Sequence, residues 1–306
     1  MAIAARRMMR RQGIAGTVPG GELMGWQVTA SNIGLAGLGI DGNSLPLYNG
    51  SNVVPAGTVI EGRRITSSLE LYQGSITIRR CLIRPTSAGQ GMPLITTSNY
   101  NVEPVGVTPA TVTIEDCEID GTELSDFSAA WCTGFMGVAN LYRNYIHHFG
   151  SGVGFMPTGM QLDAVVENNY ITDLVSWGNG ATNGNHCDGF TIRDFSNAAR
   201  PTRSMMVRNN RFDCNTENAS GACFLQAYSG TINNVTIQGN LLEGNSYNLV
   251  LENLNSSYSN MRCINNRFNV QGYGPHYYYG PGWTQWSENY RNNPANPENK
   301  GASVGM

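Results

Sequence analysis

Apolar residues along this chain recur in short clusters rather than in long stripes. Val166-Glu-Asn-Asn-Tyr-Ile171, Val207-Arg-Asn-Asn-Arg-Phe212, Ile237-Gln-Gly-Asn-Leu-Leu242 and Cys263-Ile-Asn-Asn-Arg-Phe268 share one plan. Each has an apolar residue, an Asn three positions later, and another apolar residue two beyond that. Aligning on the first apolar position gives seven copies, beginning at Ile78, Ile114, Leu141, Val166, Val207, Ile237 and Cys263, at intervals of 25 to 41 residues. These apolar positions are too close-set and too β-branched for helices, and Gly or Asn bounds each cluster, which predicts short strands between tight turns. A fixed segment with variable spacers in this range is the mark of a solenoid whose insertions form loops.

The alignment predicts columns. Position four of the hexad reads Cys81, Cys117, Asn144, Asn169, Asn210, Asn240, Asn266, and position six reads Ile83, Ile119, Ile146, Ile171, Phe212, Leu242, Phe268. If each copy is one coil of a parallel β-helix, coils stack about 4.8 Å apart and every column becomes a row of touching side chains. Asn in a turn tolerates left-handed backbone and can hydrogen-bond the Asn above and below it. The Ile/Phe column then fills the core. Charges follow the same register: Arg79 faces Glu115, Glu167 faces Arg208, and Arg80, Asp116 and Arg143 alternate in sign, as cross-strand pairing prefers. The acidic run Ile114-Glu-Asp-Cys-Glu-Ile-Asp120 could suggest calcium, but Arg79, Arg80 and Arg143 already stand opposite its carboxylates. No cofactor and no metal site is expected.

The pattern resembles the right-handed parallel β-helix of the pectate-lyase-like proteins, whose internal turn carries an Asn stack. More narrowly, Ala56-Gly-Thr-Val-Ile-Glu-Gly-Arg-Arg-Ile65, Gly74-Ser-Ile-Thr-Ile-Arg-Arg-Cys-Leu-Ile83 and Gly184-Asn-His-Cys-Asp-Gly-Phe190 resemble the β-helix minor tail proteins of actinobacterial phages and their secreted actinobacterial relatives. The likeness covers roughly residues 55–290. It implies an all-β, single-stranded, right-handed solenoid of about eight to ten coils, and a homotrimer. The expected organisation is an N-terminal docking or cap segment (1–54), the β-helix (55–290) with an aromatic C-terminal cap, and an irregular tail (291–306).

Composition narrows the function classes. Charged residues make up only 13% of the 306, and the net charge of −3 supplies no field for nucleic acid. No apolar run is long enough to span a membrane. Arg6, Arg7, Arg10 and Arg11 make the first residues basic, but no apolar signal core follows, so a secretory signal is not expected and a basic docking end is. The seven cysteines include no Cys-x-x-Cys and are expected to be buried thiols.

Candidate chemistry collects around the longest interval. His147 and His148 follow the third hexad, and His148 shares its column with Asp173. The insertion after the fourth hexad carries His186 and Asp188, with Arg193 close behind and Asp163 just before the same coil. A His beside a carboxylate can act as an oriented general base. Glycan-cleaving enzymes need paired carboxylates, or a base near a neutralising cation. Asp173, His148, His186 and Asp188 are therefore the expected catalytic candidates, converging beside the 172–190 loop. Cys187 between His186 and Asp188 makes no dyad, because adjacent strand residues point to opposite faces. Trp177, Arg193 and Tyr228 are the expected substrate-binding groups, since flat aromatic faces with polar edges suit sugar rings. Neither the multi-aspartate set of polygalacturonases nor the Lys/Arg pair of alginate-type lyases is complete. The expectation is a phage virion protein of tail or surface that contacts host cell-wall or capsular glycan and docks on other virion proteins through its N-terminal segment. The alternatives are a polysaccharide lyase or glycoside hydrolase, an extracellular location, and a purely structural virion component.

Overall fold

The structure, a computed structural model, describes residues 23–99, 106–107, 110–156, 162–196 and 198–306. The four N-terminal arginines proposed for docking lie outside them. The chain is all-β and visits three sheets in rotation. The first sheet has nine strands, running from Val59–Glu61 to Gln285–Ser287. The second has ten, from Arg64–Ile65 to Lys300–Ser303, and the third has eight, from Leu69–Glu70 to Gly274–Tyr279. Apart from the last pair of the second sheet, a strand pairs in parallel with the strand one circuit earlier and one circuit later. Ala164–Glu167, for example, pairs with Asn140–Tyr142 and with Met205–Arg208.

The hexad falls across the turn from the first sheet to the second. Its first residue closes a first-sheet strand's core side, and Ile78, Ile114, Leu141, Val166, Val207, Ile237 and Cys263 are all fully buried. Its sixth residue opens the core side of the second sheet, in register Ile83↔Ile119↔Ile146↔Ile171↔Phe212↔Leu242↔Phe268. The turn between them needs one left-handed residue. It is position three, not four: Arg80, Asp116, Arg143, Asn168, Asn209, Gly239 and Asn265 have φ from 54° to 66°. Position four is free for hydrogen bonding alone. Asn144, Asn169, Asn210, Asn240 and Asn266 are fully buried, and each backbone N–H donates to the side-chain oxygen of the next, at 2.9–3.0 Å. Asn289 continues the row beyond the last hexad.

The charge pairing agrees with the register, with shifts of partner. Arg208 meets Glu167 at 3.0 Å, and Arg143 holds Asp116 at 2.6 Å and Glu115 at 3.2 Å. Arg79 and Arg80 turn instead to Glu61 of the preceding rung. Asp120 is held by Arg84. All seven cysteines are buried and free.

Two expectations at the ends need correcting. The segment from 23 to 48 does not simply cap the first coil. It runs as a strap along the outside of the second sheet, against the order in which that sheet's strands follow one another in the chain. Trp26 lies under Arg267, Gly25 N–H donates to Gly239 O (2.9 Å), Arg211 reaches Val28 O (3.4 Å), Gly34 N–H donates to Arg143 O (3.0 Å), and Tyr48 N–H donates to Arg64 O (2.8 Å). Val28 and Ile33 bury themselves against Tyr170 and Tyr145. The physical reason is that a second-sheet outer row containing Tyr145, Tyr170 and Leu241 offers apolar surface that an adjoining apolar segment can cover. The tail after residue 290 is not irregular either. Lys300–Ser303 pairs antiparallel with Tyr290–Asn292, and Trp286 Nε1 donates to Val304 O (2.7 Å). An unpaired terminal strand is a template for association, and folding back closes it. Of the aromatic run, Trp283 and Trp286 cap the core while Tyr277 and Tyr279 stay exposed.

Gly25 fixes the strap. A Cβ there would lie 2.2 Å from Asn210 O and 2.6 Å from Leu241 N, both backbone atoms at the turn into the second sheet. Gly25→Ala therefore lifts the strap. The expected result is a stability loss of about 1–3 kcal/mol, as for overpacking elsewhere, with new protease cuts confined to residues 24–45. Limited proteolysis alongside urea denaturation checks both.

Candidate functional site

The 174–186 insertion is folded back by its own Asn residues. Asn185 donates to Ala130 O (2.7 Å) and Val175 O (2.9 Å) and accepts from Trp177 N–H (2.8 Å), while Asn179 O accepts from Gly184 N–H (2.7 Å). This delivers the chain to Cys187–Ile192, the fifth strand of the third sheet in chain order. Phe190 and Ile192 enter the core, in register with Cys223 and Leu225, then Leu249 and Leu251. Thr191, Phe224, Val250 and Tyr277 form the intervening column, and Gln226, Glu252 and Tyr279 the next.

Asp188 is the anomaly of this face. Only 5% of it is exposed, and its Oδ1 has no hydrogen-bond partner. Burial pushes its carboxyl up to about 6, although the charges of Arg193 and His186 pull the other way. Arg193 stands 3.5 Å from Asp188 Oδ2, lies over the Phe224 ring at 4.9 Å and donates to Gln226 Oε1. Gln226 in turn donates to Glu252 Oε1 at 3.0 Å. The result is a hydrogen-bonded polar chain crossing three rungs. Tyr228 is 53% exposed and bonded through its backbone to Arg193 O. Tyr247 packs between Tyr273 (5.7 Å) and Tyr277 (5.5 Å), so the chain is flanked by exposed aromatic faces. His186 is exposed, with Nδ1 3.3 Å from Ser220 Oγ. Trp177 leans edge-on against Phe127 at 5.4 Å.

His148 and Asp173 belong to a different face. Both follow second-sheet strands in left-handed turns (φ 62° and 52°), and His148 N–H donates to Asp173 O at 3.1 Å. Among the described residues no hydrogen bond or ion pair links them to His186 or Asp188. The four expected catalytic candidates thus divide two and two. What His148 and Asp173 join is the outer row of the second sheet, which includes Asp120, His147, Thr172, Asp213 and Glu243 in register. Burial first, then the charge of Glu243 on the next rung, pushes the Asp213 carboxyl up. Glu243 is held by Arg211 (2.6 Å) and Asn269 (2.8 Å). Asp120 is pushed up by burial but pulled further down by His147, Thr122 and Arg84, and stays below the ordinary value. His147 and His148 face each other through Nδ1, 2.7 Å apart.

The hexad alignment already puts Asp120 and His147 in one column, and the same column continues to Thr172, Asp213 and Glu243. Position seven of the hexad reads Arg84, Asp120, His147, Thr172, Asp213, Glu243, Asn269. The third-sheet residues Phe224, Gln226, Tyr247 and Glu252 had no such signal, because spacers of unequal length separate the hexads from those strands.

No family model, curated protein or solved structure matches the chain. No helix among the described residues is long and apolar enough to cross a membrane.

Proposed function

We propose that the chain is a right-handed parallel β-helix on the tail or surface of a phage virion, where the outer face of its third sheet contacts host cell-surface glycan. The carrying observation is the Arg193–Gln226–Glu252 chain beside Asp188, flanked by Phe224, Tyr228, Tyr247, Tyr277 and Tyr279. Planar donors and acceptors in line with aromatic faces suit a polymer of hydroxylated rings, and a buried carboxyl kept in an unfavourable setting marks a working site. Support for the virion setting comes from the resemblance of the quoted stretches to phage tail proteins. The homotrimer and the N-terminal docking contacts belong to the same reading.

A second reading, glycan cleavage, is favoured by Asp213 and Glu243. Two carboxyl side chains stand in register on neighbouring strands, which are about 4.8 Å apart, and burial together with the charge of Glu243 raises Asp213, as suits the acid of an acid–base pair.

The test is retention of the full chain on host cell-wall polysaccharide in affinity electrophoresis, with immunogold labelling of purified virions. Tyr277→Ala and Arg193→Ala are each expected to weaken retention about tenfold, as for the aromatic and Arg anchors of other interfaces. A wild-type chain that is not retained sinks the glycan reading, and its presence in virions would then leave a structural role. Oligosaccharide release that disappears in Glu243→Gln would establish cleavage.

A further inference from the structure

Consecutive strand residues normally point to opposite faces. His147 and His148 do not, because the left-handed backbone of His148 (φ 62°) swings its ring back over the same side. A non-glycine residue held there stores strain, which persists where the surroundings enforce it and is common at ligand sites. The consequence is a pair of imidazoles meeting nose to nose, Nδ1 to Nδ1, at 2.7 Å. Two ring lone pairs cannot face each other at that distance unless a proton or a cation lies between them.

A third donor is in reach. Asp120 stands opposite His147 on the adjoining rung, with Oδ1 3.6 Å from His147 Nδ1, and the three donor atoms all lie within 4.8 Å of one another. A point equidistant from atoms so spaced is about 2–2.4 Å from each, the length of a zinc–nitrogen or zinc–oxygen bond. We propose that Asp120, His147 and His148 form a binding site for a divalent transition-metal ion of the zinc class.

The surroundings have the form of an outer shell. Asp120 Oδ2 is occupied by Arg84 Nε at 2.5 Å and Oδ1 accepts from Thr122 N–H at 2.8 Å, which fixes the carboxylate and leaves Oδ1 as the ligand oxygen. The side chain of His147 is 7% exposed, and its Nε2 is buried without a hydrogen bond, 3.4 Å from Glu118 Oε1. Metal on Nδ1 puts the ring proton on Nε2, aimed at that carboxylate, and such a carboxylate–histidine pairing orients a ligating ring. Two imidazoles and one carboxylate select against calcium and magnesium, which take oxygen ligands. Three protein ligands leave a fourth position for water, on the side of half-buried His148.

The experiment titrates the full-length chain, stripped with chelator, with cobalt(II) and then zinc chloride. One equivalent of cobalt is expected to give a visible d–d absorption band that zinc abolishes. His148→Asn removes a ligand while keeping a residue type suited to left-handed backbone. It is expected to unfold at the wild-type urea concentration and to bind cobalt at least about tenfold more weakly. His186→Asn, away from the cluster, should bind as wild type. No band from the wild-type chain overturns the proposal, and so does undiminished binding by His148→Asn.

Discussion

Asn210→Ala is expected to lower the unfolding free energy by about 3–5 kcal/mol, the largest effect of any single side-chain truncation in the row. The fully buried amide of Asn210 donates to Val166 O (2.8 Å) and Asn240 Oδ1 (3.0 Å) and accepts from both the backbone and the side chain of Asn169 (each 2.9 Å). Truncation leaves the Asn169 N–H without an acceptor and weakens three further groups in a setting where each unsatisfied buried group costs about 1–3 kcal/mol. Asn210→Asp is the sharper control. It keeps an acceptor for Asn169 but sets oxygen against Val166 O and Asn240 Oδ1, so it should be as harmful as Ala at neutral pH and partly rescued in acid, where the carboxyl can donate. Urea midpoints at pH 7 and pH 5 decide it. A loss below about 1 kcal/mol, the scale of a single ordinary hydrogen bond, would mean that the row does not act as a connected unit.

Asp188→Asn is expected to do the reverse and stabilise the chain at neutral pH. A carboxyl held at about 6 in the folded chain, against an ordinary 3.8, binds its proton more tightly folded than unfolded. Its contribution is therefore most favourable below pH 3.8 and is lost as the pH rises through 6. Above pH 7 the ionised, buried group opposes folding by about 3 kcal/mol. Asn has the same shape and no charge, so the difference between variant and wild type should be near zero at pH 4 and grow to about 2–3 kcal/mol by pH 8. Because other carboxylates titrate in the same range, the quantity to read is that difference. If Asp188 serves glycan contact, the stabilised variant should also lose retention on polysaccharide, the trade expected where a site is maintained against stability. A flat difference from pH 4 to 8 would show that Asp188 is not held in a hostile environment.

How much of this could be read from the sequence depended on whether the hexad's register reached it. The core columns and the Asn row were legible because the same six residues recur at the same turn. The acidic and imidazole row lay one position further on, at Asp120, His147, Asp213 and Glu243, and the same alignment held it. The Asp188 face was only half visible. Asp188 and Arg193 stood out beside the long insertion, but Gln226 and Glu252 join them through third-sheet pairing, across loops whose lengths hide the register. The split of His148 from Asp188 was invisible for the same reason: closeness along the chain does not say which sheet a turn residue overhangs. The strap was not legible at all, since its partners lie as far off as Arg267, which covers Trp26, and Arg211, 183 residues from Val28.

That separation has a consequence in time. Each strand finds its parallel partner a few dozen residues back, so during synthesis the sheets can grow strand on strand as the chain emerges. The strap cannot follow that schedule. At about 5–20 residues per second, Val28 has left the ribosome roughly 10–40 s before Arg211 exists to receive it. The first described residues to be made are thus among the last to find their place, and their apolar side chains wait uncovered while the surface that will hold them is laid down.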